Sequence, residues 1–158
     1  MTRETLFTKV MYMQQLEVKC KRVRITDFEA AYFSCQISSS EAVYRVFKSV
    51  FEDSPVELFV VIHLNANNYV SGFEVVSKGT LNASLVHPRE VFRCAILRNA
   101  ASVIVAHNHP SGNLQPSSED IGITKKLVEA GKIIDIQVLD HIIFTHDGYF
   151  SFAEHALL

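Results

Sequence analysis

Hydrophobic residues recur along this chain with two alternating periods. Ser38 to Glu41 is a capping-box pattern, and Val43, Val46, Phe47 and Val50 follow at helical spacing until Asp53-Ser54-Pro55 stops the helix. Leu58 to Leu64 is then apolar with hardly a break, as in a strand covered on both faces. Asn65 to Asn68 predicts a turn, Tyr69 to Val76 a second strand, and Gly79 a break, after which Thr80 to Val86 crosses back toward the core. His87-Pro88-Arg89-Glu90 opens a second helix, with Val91, Phe92, Ala95 and Ile96 as its buried stripe. It leads through Asn99 into the apolar run Val103 to Ala106. A third helix begins at Pro116-Ser117-Ser118, buries Ile121, Leu127 and Val128, and stops at Gly131. Ile133 to Leu139 and His141 to Thr145 read as strands, His146-Asp147-Gly148 as a hairpin-like turn, and Tyr149 to Phe152 as the closing strand. Near the start, Leu16 to Ile25 alternates loosely. Its basic cluster (Lys19, Lys21, Arg22, Arg24) reads as a solvated strand face, with phosphate contact as the competing reading. Interleaved strands and helices predict an α/β domain, a mixed β-sheet flanked by helices.

The chemistry concentrates in Ser102 to Asp120, SVIVAHNHPSGNLQPSSED. His107 and His109 end the apolar strand, and residues two apart on a strand point the same way. Pro110-Ser111-Gly112 turns the chain. Glu119 and Asp120 then fall in the first turn of the third helix. Two imidazoles and a carboxylate therefore meet where a strand stops and a helix begins. They make three protein ligands for a divalent metal with a position left for water, as in a catalytic zinc site.

His107-x-His109 followed by Ser117 and Asp120 matches the JAMM signature of JAB/MPN metalloproteases: His-x-His, seven residues, Ser, two residues, Asp. The wording HNHPSG…PSSED, then TKKLVEAG from Thr124, then Asp140-His141 and the closing YFSFAEH, resembles the RadC family. Five separated blocks occur in the family's order, from about Ser38 to the C-terminus. The resemblance implies a JAB/MPN-type, cytidine-deaminase-like three-layer domain over residues 38–158. Residues 1–37 are then an N-terminal extension in which the helix-hairpin-helix segment of full-length RadC-like proteins is not found. It implies Zn2+ as cofactor, held by His107, His109 and Asp120. It also implies a glutamate base at the start of an upstream strand, where Glu57 stands, with Glu90 as runner-up. The matching serine of JAMM enzymes hydrogen-bonds the tetrahedral oxyanion, a role that falls to Ser117. Ser117 is equally well placed to cap the helix. His141 reads either as support for the metal ligands or as a structural hydrogen bond. His63, His87, His146 and His155 read as ordinary histidines.

Composition narrows the setting. The chain has 158 residues, 48% hydrophobic and 20% charged, with a net charge of −2, which suits one domain with a substantial core and no dominant nucleic-acid footprint. Cys20, Cys35 and Cys94 are far apart without CxxC spacing, which points to a reducing compartment and a cytoplasmic protein. No signal-peptide pattern or membrane-spanning apolar run occurs. The letters His107-Asn108-His109 spell HNH, but that nuclease spreads its residues over a longer segment. There is no HExxH helix and no H-x-E with a later PCxxC, so zincin and deaminase readings fail. The leading expectation is a JAMM-type zinc metallopeptidase acting on a peptide or isopeptide substrate. A RadC-like, DNA-repair-associated factor acting on DNA and a metal-stabilised binding module without turnover are the alternatives. No stretch of the sequence defines a specificity pocket.

Overall fold

The computed structural model describes residues 35–52, 54–79 and 86–158. In chain order the elements are α1 (Ser40–Phe51), β1 (Leu58–Leu64), β2 (Val70–Lys78), α2 (Pro88–Leu97), β3 (Ser102–Asn108), α3 (Ser118–Ile134), β4 (Gln137–Phe144) and β5 (Tyr149–Ser151). The strands form one five-stranded sheet in the order β2-β1-β3-β4-β5. Only β3 and β4 run parallel, joined by α3 as the crossover a parallel pair requires. The other neighbours are antiparallel, so the sheet is mixed, as the sequence predicts.

Every residue of β1 and β3 is buried, because helices cover both sheet faces. On one face Phe47 and Phe51 of α1 pack on Val60, Ile62, Ile104, Ala106 and Phe144. On the other, Val91, Phe92 and Ala95 of α2 and Ile123 and Leu127 of α3 pack on Phe59, Val61, Val103 and Val105. Alternation along β3 sends Ile104 and Ala106 toward α1, and Val103, Val105 and His107 toward α2 and α3.

Several sequence boundaries move. Ser39, rather than Ser38, caps α1, its side chain accepting from the Ala42 amide at 3.1 Å. Ile96 is exposed rather than part of the α2 stripe, which ends at Ala95. Helix α3 buries Ile123, Thr124 and Leu127, while Ile121 and Val128 are only half-buried. Gly131 lies inside α3. A Cβ there would collide with the Ile136 carbonyl, and the helix ends instead at left-handed Asp135, φ 57°, whose amide returns to the Gly131 carbonyl. Ile133 and Ile134 therefore belong to α3, and the two predicted strands after it are one, β4. The strand expected over Leu16 to Ile25, and the crossing segment after Gly79 apart from buried Val86, lie outside the described residues.

Two buried polar residues matter for stability. Asp140 accepts from Ser40 Oγ at 2.9 Å, Ser151 Oγ at 2.7 Å, the His141 amide at 2.7 Å and the Ala153 amide at 3.0 Å. One carboxylate thereby ties the start of α1 to β4, β5 and the C-terminal turn. Asp140→Ala leaves those donors without their acceptor in the interior and should cost roughly 3 kcal/mol in chemical denaturation. Asp140→Asn, which keeps the shape, should cost less.

His63 in β1 is fully buried, 3.6 Å from Glu74 Oε1, and among the described residues neither ring nitrogen has a hydrogen-bond partner. Burial, and secondarily the Arg98 charge, lower its pKa from 6.5 to about 4. The fold thus favours the neutral ring. Its contribution is intact above the unfolded pKa and is lost as pH falls from 6.5 through about 4. That window should carry up to about 3 kcal/mol of stability loss, read as the difference between wild type and His63→Leu in denaturation midpoints across that pH range.

Candidate metal centre

The parallel pair sets the position. β3 runs beside β4, and the His109 amide still donates to the Phe144 carbonyl at 2.9 Å, so His109 continues the strand by one residue. Two-residue alternation then puts His107 and His109 on one side. The predicted turn follows, with the Gly112 amide bonding the His109 carbonyl at 3.0 Å and Gly112 itself at φ 78°, a conformation that favours glycine. The chain is thereby brought round to begin α3.

The start of α3 is a capping box. Ser117 Oγ accepts from the Asp120 amide at 3.1 Å, and Asp120 Oδ2 accepts from the Ser117 amide at 2.8 Å and from its hydroxyl at 2.7 Å. The capping reading of Ser117 is therefore realised, and its hydroxyl hydrogen points at Asp120. The box fixes a nearly fully buried carboxylate against both imidazoles. His107 Nε2 lies 2.9 Å from His109 Nε2 and 3.2 Å from Asp120 Oδ1, and His109 Nε2 lies 3.5 Å from Asp120 Oδ2.

Among the described residues, His107, His109 and Asp120 form the one group of histidine, cysteine and acidic side chains that could hold a metal ion, with donor atoms within 4.8 Å of one another. A tetrahedral ion with bonds of about 2.0–2.1 Å holds its donors roughly 3.3 Å apart. The closest donor pairs here bracket that value, so the residues fit such an ion. Electrostatics favour the ligand forms of His107 and Asp120, whereas Asp120 draws His109 toward its protonated form. Burial lowers His107 to about 4, outweighing the pull of Asp120. Burial alone would raise Asp120, but its bonds with His109 and Ser117 and the influence of His107 hold it well below the usual carboxylate range. The hydrogen bond to Asp120 raises His109, helped by the Asn113 carbonyl and by the charges of Asp120 and Glu57.

Glu57 lies half-buried immediately before β1, two residues ahead of Phe59, which pairs with His107. The residue between the two histidines holds it there. Asn108 Oδ1 accepts from the Leu58 amide at 2.7 Å, and Nδ2 donates to the Val56 carbonyl at 3.1 Å, one bond on each side of Glu57. Glu90 is instead engaged on the surface of α2 by Arg89 at 3.3 Å and Arg93 at 3.2 Å. It stands in the first turn of α2, where a negative charge is favourable. His63, His87, His146 and His155 lie outside the group. His141 is outside it as well but touches it: its Nε2 is 2.8 Å from His107 Nδ1. Sequence reasoning left its role open and passed over Thr124, whose hydroxyl meets the far side of the His141 ring. A polar Asp140-His141 pair inside an otherwise apolar strand was the available signal. A cavity of about 220 Å³ opens beside His109, with Phe51, Pro55, Pro110 and Phe144 among its walls, a feature the sequence does not foretell.

Comparison with known proteins places this geometry in a family. Residues 37–157 match the model described as RadC-like JAB domain. The chain is 52% identical over 122 residues to UPF0758 protein STH371 of Symbiobacterium thermophilum, covering 77% of this chain and 52% of the relative. It is 46% identical over 123 residues to a UPF0758 protein of Methanosarcina mazei, covering 78% and 54%. Against a UPF0758 protein of Alkaliphilus metalliredigens the figures are 44% over 138 residues, 87% and 58%. The chain spans about half the length of the curated relatives it matches. With the His-x-His strand end, the capped helix and the mixed sheet all in place, the chain belongs to the RadC family through a RadC-like JAB domain.

Proposed function

We propose that this protein is a zinc-dependent hydrolase of JAMM type that cleaves a peptide or isopeptide bond. The observation that carries the reading is the convergence of His107 Nε2, His109 Nε2 and the Asp120 carboxylate within a few ångströms at the end of β3. Two imidazoles and one carboxylate suit zinc and leave a tetrahedral ion one position for water. When bound, the ion would supply a water whose pKa is lowered toward neutrality and a polarised carbonyl.

The chain's own residues do the rest. Glu57 takes the proton of the attacking water on its carboxylate and passes it to the departing amide nitrogen. Its half-buried place and its influence on His109 support that role. Ser117 turns its hydroxyl from Asp120 Oδ2 to the oxyanion, and the Asp120 carboxylate keeps the Ser117 backbone amide as partner meanwhile. The cavity beside His109 takes an apolar side chain of the substrate against Phe51 and Phe144. Cys35 and Cys94 are free thiols, which fits a cytoplasmic setting. No helix among the described residues is long and apolar enough to cross a membrane.

Purified wild-type protein should hold one zinc ion per chain by elemental analysis, and His109→Ala and Asp120→Ala should each abolish it. Equal zinc in all three would defeat the assignment. Glu57→Gln should keep the zinc and lose peptide-bond hydrolysis by about 100-fold or more. Unchanged turnover in Glu57→Gln together with loss in Glu90→Gln would move the base to Glu90.

A further inference from the structure

A buried chain of hydrogen bonds leads away from the candidate centre and takes no part in the hydrolysis outlined above. Thr124 Oγ1 lies 2.6 Å from the Asp120 carbonyl and 2.5 Å from His141 Nδ1. His141 Nε2 lies 2.8 Å from His107 Nδ1. All three side chains are fully buried, and Phe152 stacks on the His141 ring at 4.6 Å with Phe59 against its edge. Water has no access to this row, so every contact must be satisfied by the protons of these groups themselves.

Those protons can be counted. A threonine hydroxyl has one hydrogen. A backbone carbonyl only accepts, so the 2.6 Å contact with Asp120 takes that hydrogen. His141 Nδ1 must then donate to Thr124 Oγ1. A neutral imidazole with Nδ1–H has a bare Nε2, so His141 Nε2 accepts and His107 Nδ1 donates to it. His107 is left with a bare Nε2, aimed at His109 and Asp120. The opposite tautomer of His107 would set two bare ring nitrogens against each other across the 2.8 Å contact with His141.

We infer that Thr124 and His141 are positioning residues that lock His107 as the Nδ1–H tautomer and present its Nε2 lone pair to the metal. The arrangement runs from the helix that supplies Asp120, through β4, to the strand that supplies His107. A single hydroxyl on α3 thus decides which ring nitrogen on β3 can bind an ion. On the exposed side, His109 Nδ1 meets the Asn113 carbonyl at 2.6 Å, which demands Nδ1–H, and its Nε2 faces inward to Asp120 and to the bare Nε2 of His107.

The inference rests on His107 being a ligand, and its test has one arm that needs no metal. In the metal-free protein, long-range 1H–15N spectra of ¹⁵N-histidine-labelled chain should show His107 and His141 both as Nδ1–H tautomers. His107 found as Nε2–H would overturn the inference even if the protein binds zinc. In the second arm, Thr124→Val keeps the side-chain shape and removes the hydroxyl. Zinc affinity by chelator competition should fall about 10- to 100-fold, with His107 losing its single tautomer, while Thr124→Ser restores both. Wild-type affinity in Thr124→Val would refute the positioning role. Absence of zinc binding by wild type with the tautomers as stated would instead remove the hydrolase reading and leave the tautomer lock standing.

Discussion

One carboxylate does two incompatible-looking things here, and the site depends on both. Asp120 closes the first turn of α3 by accepting from the Ser117 amide, and it faces the two imidazoles at the end of β3. Capping would normally place a carboxylate in water at a helix terminus, where the helix dipole adds a favourable but small interaction. In this protein the cap is buried, so the carboxylate cannot be satisfied by solvent. The Ser117 donors and the histidines meet that need, and they hold Asp120 ionised despite its burial. The helix start and the candidate metal centre are one construction. Neither can shift without the other, which explains why a Ser-x-x-Asp spacing can be both a local folding signal and part of a chemical site.

The sheet supplies the frame for that construction. β1 and β3 are buried on both faces. At the end of β3, His107, Asn108 and His109 follow directly on four apolar positions, and the buried His107 and Asn108 are satisfied by hydrogen bonds to other residues of the chain. Polar chemistry at a strand end costs little in packing and gains a rigid support. The parallel β3–β4 pair and its crossover helix bring the carboxylate to the same end of the sheet.

Much of this was legible in the sequence, for reasons that also explain the failures. Strand β1 was read to the residue because a seven-residue apolar run leaves little choice. The three candidate ligands were legible because spacing two on a strand and a cap on a helix are both local rules. The β4 strand was broken in two because Asp140 and His141 interrupt its apolar run, and their partners Ser40 and Thr124 lie 100 and 17 positions away. Local sequence carries no trace of such contacts. Gly131 has the form of a helix stop, although its lack of a side chain answers the close approach of the Ile136 carbonyl. The periodic stripe on α2 runs one residue beyond the buried one because helical period alone does not say where the covering sheet ends. Thr124 carries no local signal, because a threonine inside a helix is unremarkable until the ring beside it is known.

Asn108 carries a consequence of its own. Its amide grips the chain on both flanks of Glu57 in the manner of an extra rung of sheet pairing. Thermal breathing at the lip of β1 must then drag the glutamate and the histidine-bearing strand end together, as two fingers of one hand. The distance from acid to imidazoles is insulated from the looseness expected where a strand meets a loop, and the middle letter of a three-residue motif serves as its ruler.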